Sequence, residues 1–188
     1  RLIYYAGGKL DFTLVPAEAL ATARHDRPFL VLLDKDDLAP DPESVGAPEG
    51  ALPDEEEFEE CLHWGYAAAL MCAKAIVREE LWSAKLRDQD LKEELLRVIE
   101  WDHTARHGTA HDTRYLGSRM SSWMDSDIRE ELNGCWGHFD AVDTLDALRR
   151  TVDLFARLSA RTATALGFPP FDHERLQREI ERILSLRV

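Results

Sequence analysis

Cysteine is scarce in this sequence, and the three present, Cys61, Cys72 and Cys135, are odd in number and widely spaced. That excludes a disulfide scaffold, a zinc ribbon and a paired redox motif, and leaves reduced thiols packed as small hydrophobes. No uninterrupted apolar run of about 18 residues occurs and no basic-then-apolar segment opens the chain, so neither a membrane span nor export is supported. A cytoplasmic location is expected. Basic residues are also in deficit: 23 Lys and Arg face 36 Asp and Glu, for a net charge of −13. Such a field repels nucleic acid and favours cationic small molecules, and it equally serves solubility. Gly-rich phosphate loops, GxSxG elbows, HExxH pairs and Cys/His nucleophile pairs are all absent.

What is present suffices for one or two domains: 188 residues, 45% of them apolar, against a usual domain size of about 100 to 200 residues. Leu2 to Tyr5 and Leu10 to Val15 alternate as two strands around Gly7-Gly8, whose positive φ angles suit a tight hairpin, and Pro16 ends the second. Phe29 to Leu33 is a short apolar run closed by Asp34-Lys35-Asp36-Asp37, which predicts a strand buried on both faces. Pro40, Pro42, Pro48 and Pro53, with Gly46 and Gly50, then predict a linker or surface loop. The remainder is helical in pattern. Phe58, Leu62, Tyr66, Leu70, Ala73, Val77 and Leu81 predict one long helix from Glu57 to about Lys85, with Asp54 to Glu57 complementing its dipole. Further helices are expected around Leu91 to Trp101, Asp125 to His138, Leu145 to Leu166 stopped by Gly167, and one after Asp172. The fold class is α+β and mostly α, with units at 1–50 and 51–188.

Several residues could carry chemistry. Asp11 alternates with Leu10, Phe12 and Leu14, so its carboxylate points to the face opposite the apolar one, whether solvent or an active site. Lys74 and Arg78 stand four apart, with Trp82 and Lys85 expected on the same side. A triphosphate between the two cations would relieve their repulsion, and a solvated face in which they pair with Glu79 or Glu80 fits the same spacing. Glu80, Glu100 and Asp102 lie close in sequence to Trp82 and Trp101. That combination suits amino or guanidino groups, or else describes helix packing with surface carboxylates. His103, His107 and His111 recur every four residues, followed by Asp112, a spacing that can share a metal. Gly108 interrupts the helix there, and a polar loop is the better reading.

The chain resembles the aminoglycoside 6-adenylyltransferases, the streptomycin-modifying nucleotidyltransferases. The resemblance is carried by Lys9-Leu10-Asp11-Phe12-Thr13-Leu14, Leu33-Asp34-Lys35-Asp36, Glu57-Phe58-Glu59-Glu60-Cys61, Ala73 to Leu81, Ile99-Glu100-Trp101, Arg114-Tyr115-Leu116 and Ala165-Leu166-Gly167-Phe168. It implies the end of a nucleotidyltransferase α/β domain with short strands over 1–50 and a helical bundle over 51–188 that binds substrate and nucleotide. It further implies transfer of AMP from ATP, with Mg2+, to a hydroxyl of streptomycin or a related cationic aminoglycoside, a reaction of antibiotic resistance. Asp11 would be the metal-associated carboxylate and first choice of base, and Glu80 the second. Lys74 and Arg78 would hold ATP, and Glu80, Trp82, Glu100, Trp101 and Asp102 the aminoglycoside. A monomer is expected, without nucleic-acid or membrane partners. The family's Gly-Ser turn and first two aspartates have no counterpart, and the chain opens without methionine in a hairpin pattern, so a C-terminal piece, inactive alone, is expected. The histidine-containing segment after Asp102 departs from the family and leaves the substrate open. The competing reading is a non-catalytic helical binding or antitoxin-like module.

Overall fold

The structure is a computed structural model that describes residues 2–5, 7–20, 29–39, 51–109, 113 and 116–186. They divide into two units, Arg1–Glu49 and Gly50–Val188. His111, Asp112, Arg114, Tyr115 and most of the proline segment lie outside the described residues.

In the first unit, β1 (Leu2–Tyr5) pairs antiparallel with β2 (Gly8–Asp11) in the register Leu2 to Asp11 and Tyr5 to Gly8. Gly7, at φ +82°, makes the turn, a conformation with little steric cost only for glycine. The second strand stops at Asp11 and does not reach Val15, and a short helix α1 (Ala17–Leu20) follows Pro16. The strand expected at Phe29 to Leu33 does not form, and Leu30, Leu32 and Leu33 are exposed. A doubly buried strand needs neighbours, and among the described residues the sheet holds β1 and β2 alone. Asp34 instead organises a turn, its carboxylate accepting from the backbone N–H of Asp36 and Ala39 at 3.2 and 2.7 Å, the usual way a short acidic side chain competes with regular structure.

The second unit is built on α2 (Glu55–Val77) and α3 (Leu81–His107). Asp54 caps α2 by accepting from the Glu57 N–H at 2.8 Å. The single helix expected from Glu57 to Lys85 is broken: Arg78 caps α2, Glu79 takes a left-handed φ of +60°, and α3 absorbs the expected second helix. Val77 and Leu81 keep the apolar spacing across the break, which is why periodicity passes over it. The chain reverses here. Cys72 Sγ–H meets the Ala84 carbonyl, Cys61 Sγ–H the Glu94 carbonyl, and Phe58 the Trp101 ring, so partners move up one helix as they move down the other and the two run antiparallel. Ala68, Ala69, Cys72, Ala73 and Ala84, all buried, keep side chains small along this pair.

The short helices α4 (Met120–Trp123) and α5 (Ser126–Leu132) lead to α6 (Ala141–Leu166) and α7 (His173–Leu184). Phe155 of α6 sits against Gly65 and edge-on to Tyr66 of α2. The buried Thr151 and Thr162 hydroxyls on α6 donate to carbonyls four residues back, at 2.8 and 2.9 Å, which satisfies them within the helix, and Thr151 also lies 3.4 Å from the Cys135 carbonyl. Asp140 and Asp172 cap α6 and α7, and Gly167, at φ +74°, closes α6. Arg149 grips Glu181 with two N–H donors at 2.8 and 2.6 Å, tying α7 to α6. The result is mostly helical, as expected, with four long helices and two short ones among the described residues of this unit.

Candidate functional site at the helical hairpin and at the end of α3

The first cluster lies at the tip of the α2–α3 hairpin. Lys74, in the last turn of α2, and Arg78, at its cap, are exposed. Among the described residues neither closes a salt bridge, so the expected alternative pairing with Glu79 or Glu80 does not form; Lys74 acts on Glu179 of α7 through its field. Glu80 precedes α3 with its side chain exposed and engaged in no cap. Trp82 belongs to the first turn of α3, not to the side of α2; it is 73% exposed, with Phe139 edge-on at 6.3 Å. Lys85 donates to the Gly137 carbonyl at 2.7 Å, which draws the segment before α6 onto this tip. Two unpaired cations, a carboxylate and an open aromatic face therefore share one turn of the fold.

Glu100, Trp101 and Asp102 stand near the other end of α3, roughly 27 Å along the axis from Trp82 at 1.5 Å per residue. Glu100 is half-buried. Trp101 is 8% exposed, packed on Phe58 at 6.0 Å and covered by the Arg97 guanidinium at 4.7 Å. Asp102 is fully buried. It accepts from Arg161 Nε and Nη2 at 2.7 and 2.6 Å and from Arg106 Nε and Nη2 at 3.0 and 2.7 Å. The acidic and aromatic residues expected to form one face thus divide between the two ends of α3.

Arg106 also donates to Asp125 Oδ2 at 2.5 Å. Burial pushes the Asp125 carboxyl up, but hydrogen bonding to Arg106 and its charge outweigh this and hold the pKa below the ordinary value. His107 Nε2 lies 3.5 Å from Asp125 Oδ1, and the His103 and His107 rings are 4.7 Å apart. Asp125 comes from 18 residues beyond His107, and its place beside the two histidines follows from packing alone; the spacing of His103 and His107 is the part of this cluster that the sequence displays. Between the ends, Gln89, Lys92, Leu96, Met120, Leu132 and Trp136 line a cavity of about 380 Å3. The Lys92 ammonium there is buried, paired with Asp88, and 5.0 Å from the Trp136 ring centre.

Asp11, on β2 of the other unit, is exposed and pairs with Lys9 at 3.1 Å. A magnesium ion takes oxygen donors, typically one or two carboxylates plus substrate phosphates. Asp11 supplies one donor of that kind, and the nitrogen-bearing cluster around His103 does not match it.

A solved structure, the crystal structure of an aminoglycoside 6-adenyltransferase from Bacillus subtilis, matches this fold with a TM-score of 0.64 and 20% identity. The match covers 70% of this chain and 51% of that one, so this chain spans about half the length of its structural relative. The fold is therefore that of the aminoglycoside adenyltransferases. The profile of the streptomycin adenylyltransferase family matches residues 1–183, and the chain belongs to that family. No curated protein gives a match. Among the described residues, no helix is long and apolar enough to cross a membrane.

Proposed function

We propose that the chain serves an O-adenylyltransferase that moves AMP from ATP, with Mg2+, to a hydroxyl of streptomycin or a related aminoglycoside, and so confers resistance in the cytoplasm. The observation that carries this reading is the family match, which runs through both units. In the proposal, Lys74 and Arg78 hold the triphosphate, the guanidinium as a planar fork and the ammonium as a point charge. Among the described residues neither closes an ion pair with a carboxylate, which supports this assignment. Trp82 stacks on the sugar or guanidino groups and Glu80 holds a cationic group; Glu100, about 27 Å further along α3, is too far to touch the same drug molecule. Trp101 and Asp102 are buried, on Phe58 and between two arginines, and serve the packing of α3 in place of drug contact. Asp11 accepts the proton of the attacking hydroxyl or lies beside the metal, with Glu80 second in line as base. Bound Mg2+ would neutralise charge on the phosphates and orient them. The chain is taken to act as a monomer.

Calorimetry of this chain with Mg-ATP and with streptomycin tests the assignment. Lys74→Ala and Arg78→Ala should weaken ATP by about tenfold each, and Trp82→Ala should do the same to streptomycin. A folded chain that binds neither ligand, or variants that bind both unchanged, would sink the site and favour a non-catalytic module.

A further inference from the structure

We propose that His103, His107 and Asp125 form a site for one divalent transition metal of the zinc class, separate from any magnesium held with ATP. The two histidines are four residues apart in the last turns of α3, which puts both imidazoles on one helix face. Asp125 arrives from another element, the residue before α5. One donor atom from each of the three lies within 4.8 Å of the others. Two imidazole nitrogens and a carboxylate are the donor set of open zinc sites, which keep a fourth position for water or substrate. The ligand edges of a tetrahedral zinc centre are about 3.3 Å, from bond lengths near 2.0 Å, so small side-chain rotations close the cluster on an ion.

The behaviour of Asp125 is an independent observation. Asp54, Asp140 and Asp172 each precede a helix and accept its first N–H groups. Asp125 holds the same position before α5 yet makes no such cap, its carboxylate being turned towards Arg106 and His107. A cap of this kind stabilises a helix by about 1 kcal/mol, and here it is forgone. Arg106 occupies the cationic position beside Asp125 and His107. On binding, the ion replaces Arg106 both at Asp125 and at His107 Nε2, which lies 3.0 Å from Arg106 Nη1, and Arg106 keeps its two bonds to Asp102. Trp123, 5.1 Å from the His103 ring, walls the inner side, and the exposed His107 gives entry. Magnesium prefers all-oxygen donors and should not compete.

The test is titration of the chelator-treated chain with Zn2+ by calorimetry and with Co2+ by visible absorption, without nucleotide or drug. One ion per chain and the intense bands of four-coordinate Co2+ are expected, unaffected by excess Mg2+. His107→Gln, at an exposed position, and the near-isosteric Asp125→Asn should each weaken binding by about tenfold or more. Arg106→Gln, which removes the competing cation, should tighten it. No binding to the folded chain, or equal affinity in wild type, His107→Gln and Asp125→Asn, overturns the site. Weaker binding in a folded Arg106→Gln overturns the displacement step. Because no ATP or aminoglycoside is used, these outcomes are independent of the proposed transferase reaction.

Discussion

Asp102 gives the sharpest test of what holds the end of α3 to α6. Its buried carboxylate accepts two N–H groups from Arg161 on α6 and two from Arg106 on its own helix. Removing one partner of a buried charge pair usually costs about 3–5 kcal/mol, because the surviving charge is left uncompensated. Here two guanidiniums survive, but their side chains are 24% and 33% exposed, so each can turn towards water. Asp102→Ala should therefore fall at the low end, about 3 kcal/mol, or roughly 6–12 °C in melting temperature for a chain of this size. Asp102→Asn, which keeps the shape and one acceptor, should cost less. Urea denaturation followed by circular dichroism measures both. A loss below about 0.5 kcal/mol for Asp102→Ala would place the ion cluster among solvated surface pairs of little worth, and the account of this junction would be wrong.

Other substitutions probe the remaining features. Gly65→Ala improves helix propensity by about 1 kcal/mol, yet the added Cβ would lie 2.5 Å from Phe155 Cζ. Overpacking of this kind costs about 1–3 kcal/mol, so net destabilisation by chemical denaturation is expected, and stabilisation would show that the ring yields freely. Glu79→Gly relieves a left-handed residue whose strain is about 1 kcal/mol; a higher denaturation midpoint is expected, and a lower one counts against strain at the break. Burial, partly offset by Asp172, lowers the His173 pKa from its ordinary value, and the ring shares a 2.8 Å hydrogen bond with the Tyr66 hydroxyl. The unfolded chain therefore takes up the proton first, and stability should fall as pH drops through about 6.5 towards the lower native value. His173→Gln should flatten that slope, and an identical slope in both proteins would refute the assignment.

The parts of the fold that were legible in sequence are those fixed by local chemistry. Asp172 and Gly167 cap or stop helices by bonds to residues a few positions away, so the residue types alone announce them. The break at Arg78-Glu79-Glu80 was not announced, because it uses no glycine or proline and the apolar spacing continues through it. Phe29 to Leu33 reads as a buried strand by composition, but strand formation depends on neighbours that the segment itself does not encode. The candidate site divided along the same line. Lys74, Arg78, Glu80 and Trp82 are near in sequence and come together at one turn. Asp102, Arg106, Asp125 and Arg161 are joined across as many as 59 residues, and only the packing of α6 on α3 brings them into one cluster.

The three-residue link between α2 and α3 also bears on how the chain folds. Closing so short a loop costs little entropy, whereas α6 must be brought back across the segment from Gly108 to Asp140 before it can dock. The helical hairpin is thus the element with the most local contacts, and topologies rich in such contacts form fastest. Lys74, Arg78, Glu80 and Trp82 would be carried into place with this earliest structure, while the arginine cluster on Asp102 would wait for the arrival of α6. Slow or faulty docking of α6 would then leave the hairpin tip assembled and the far end of α3 undone.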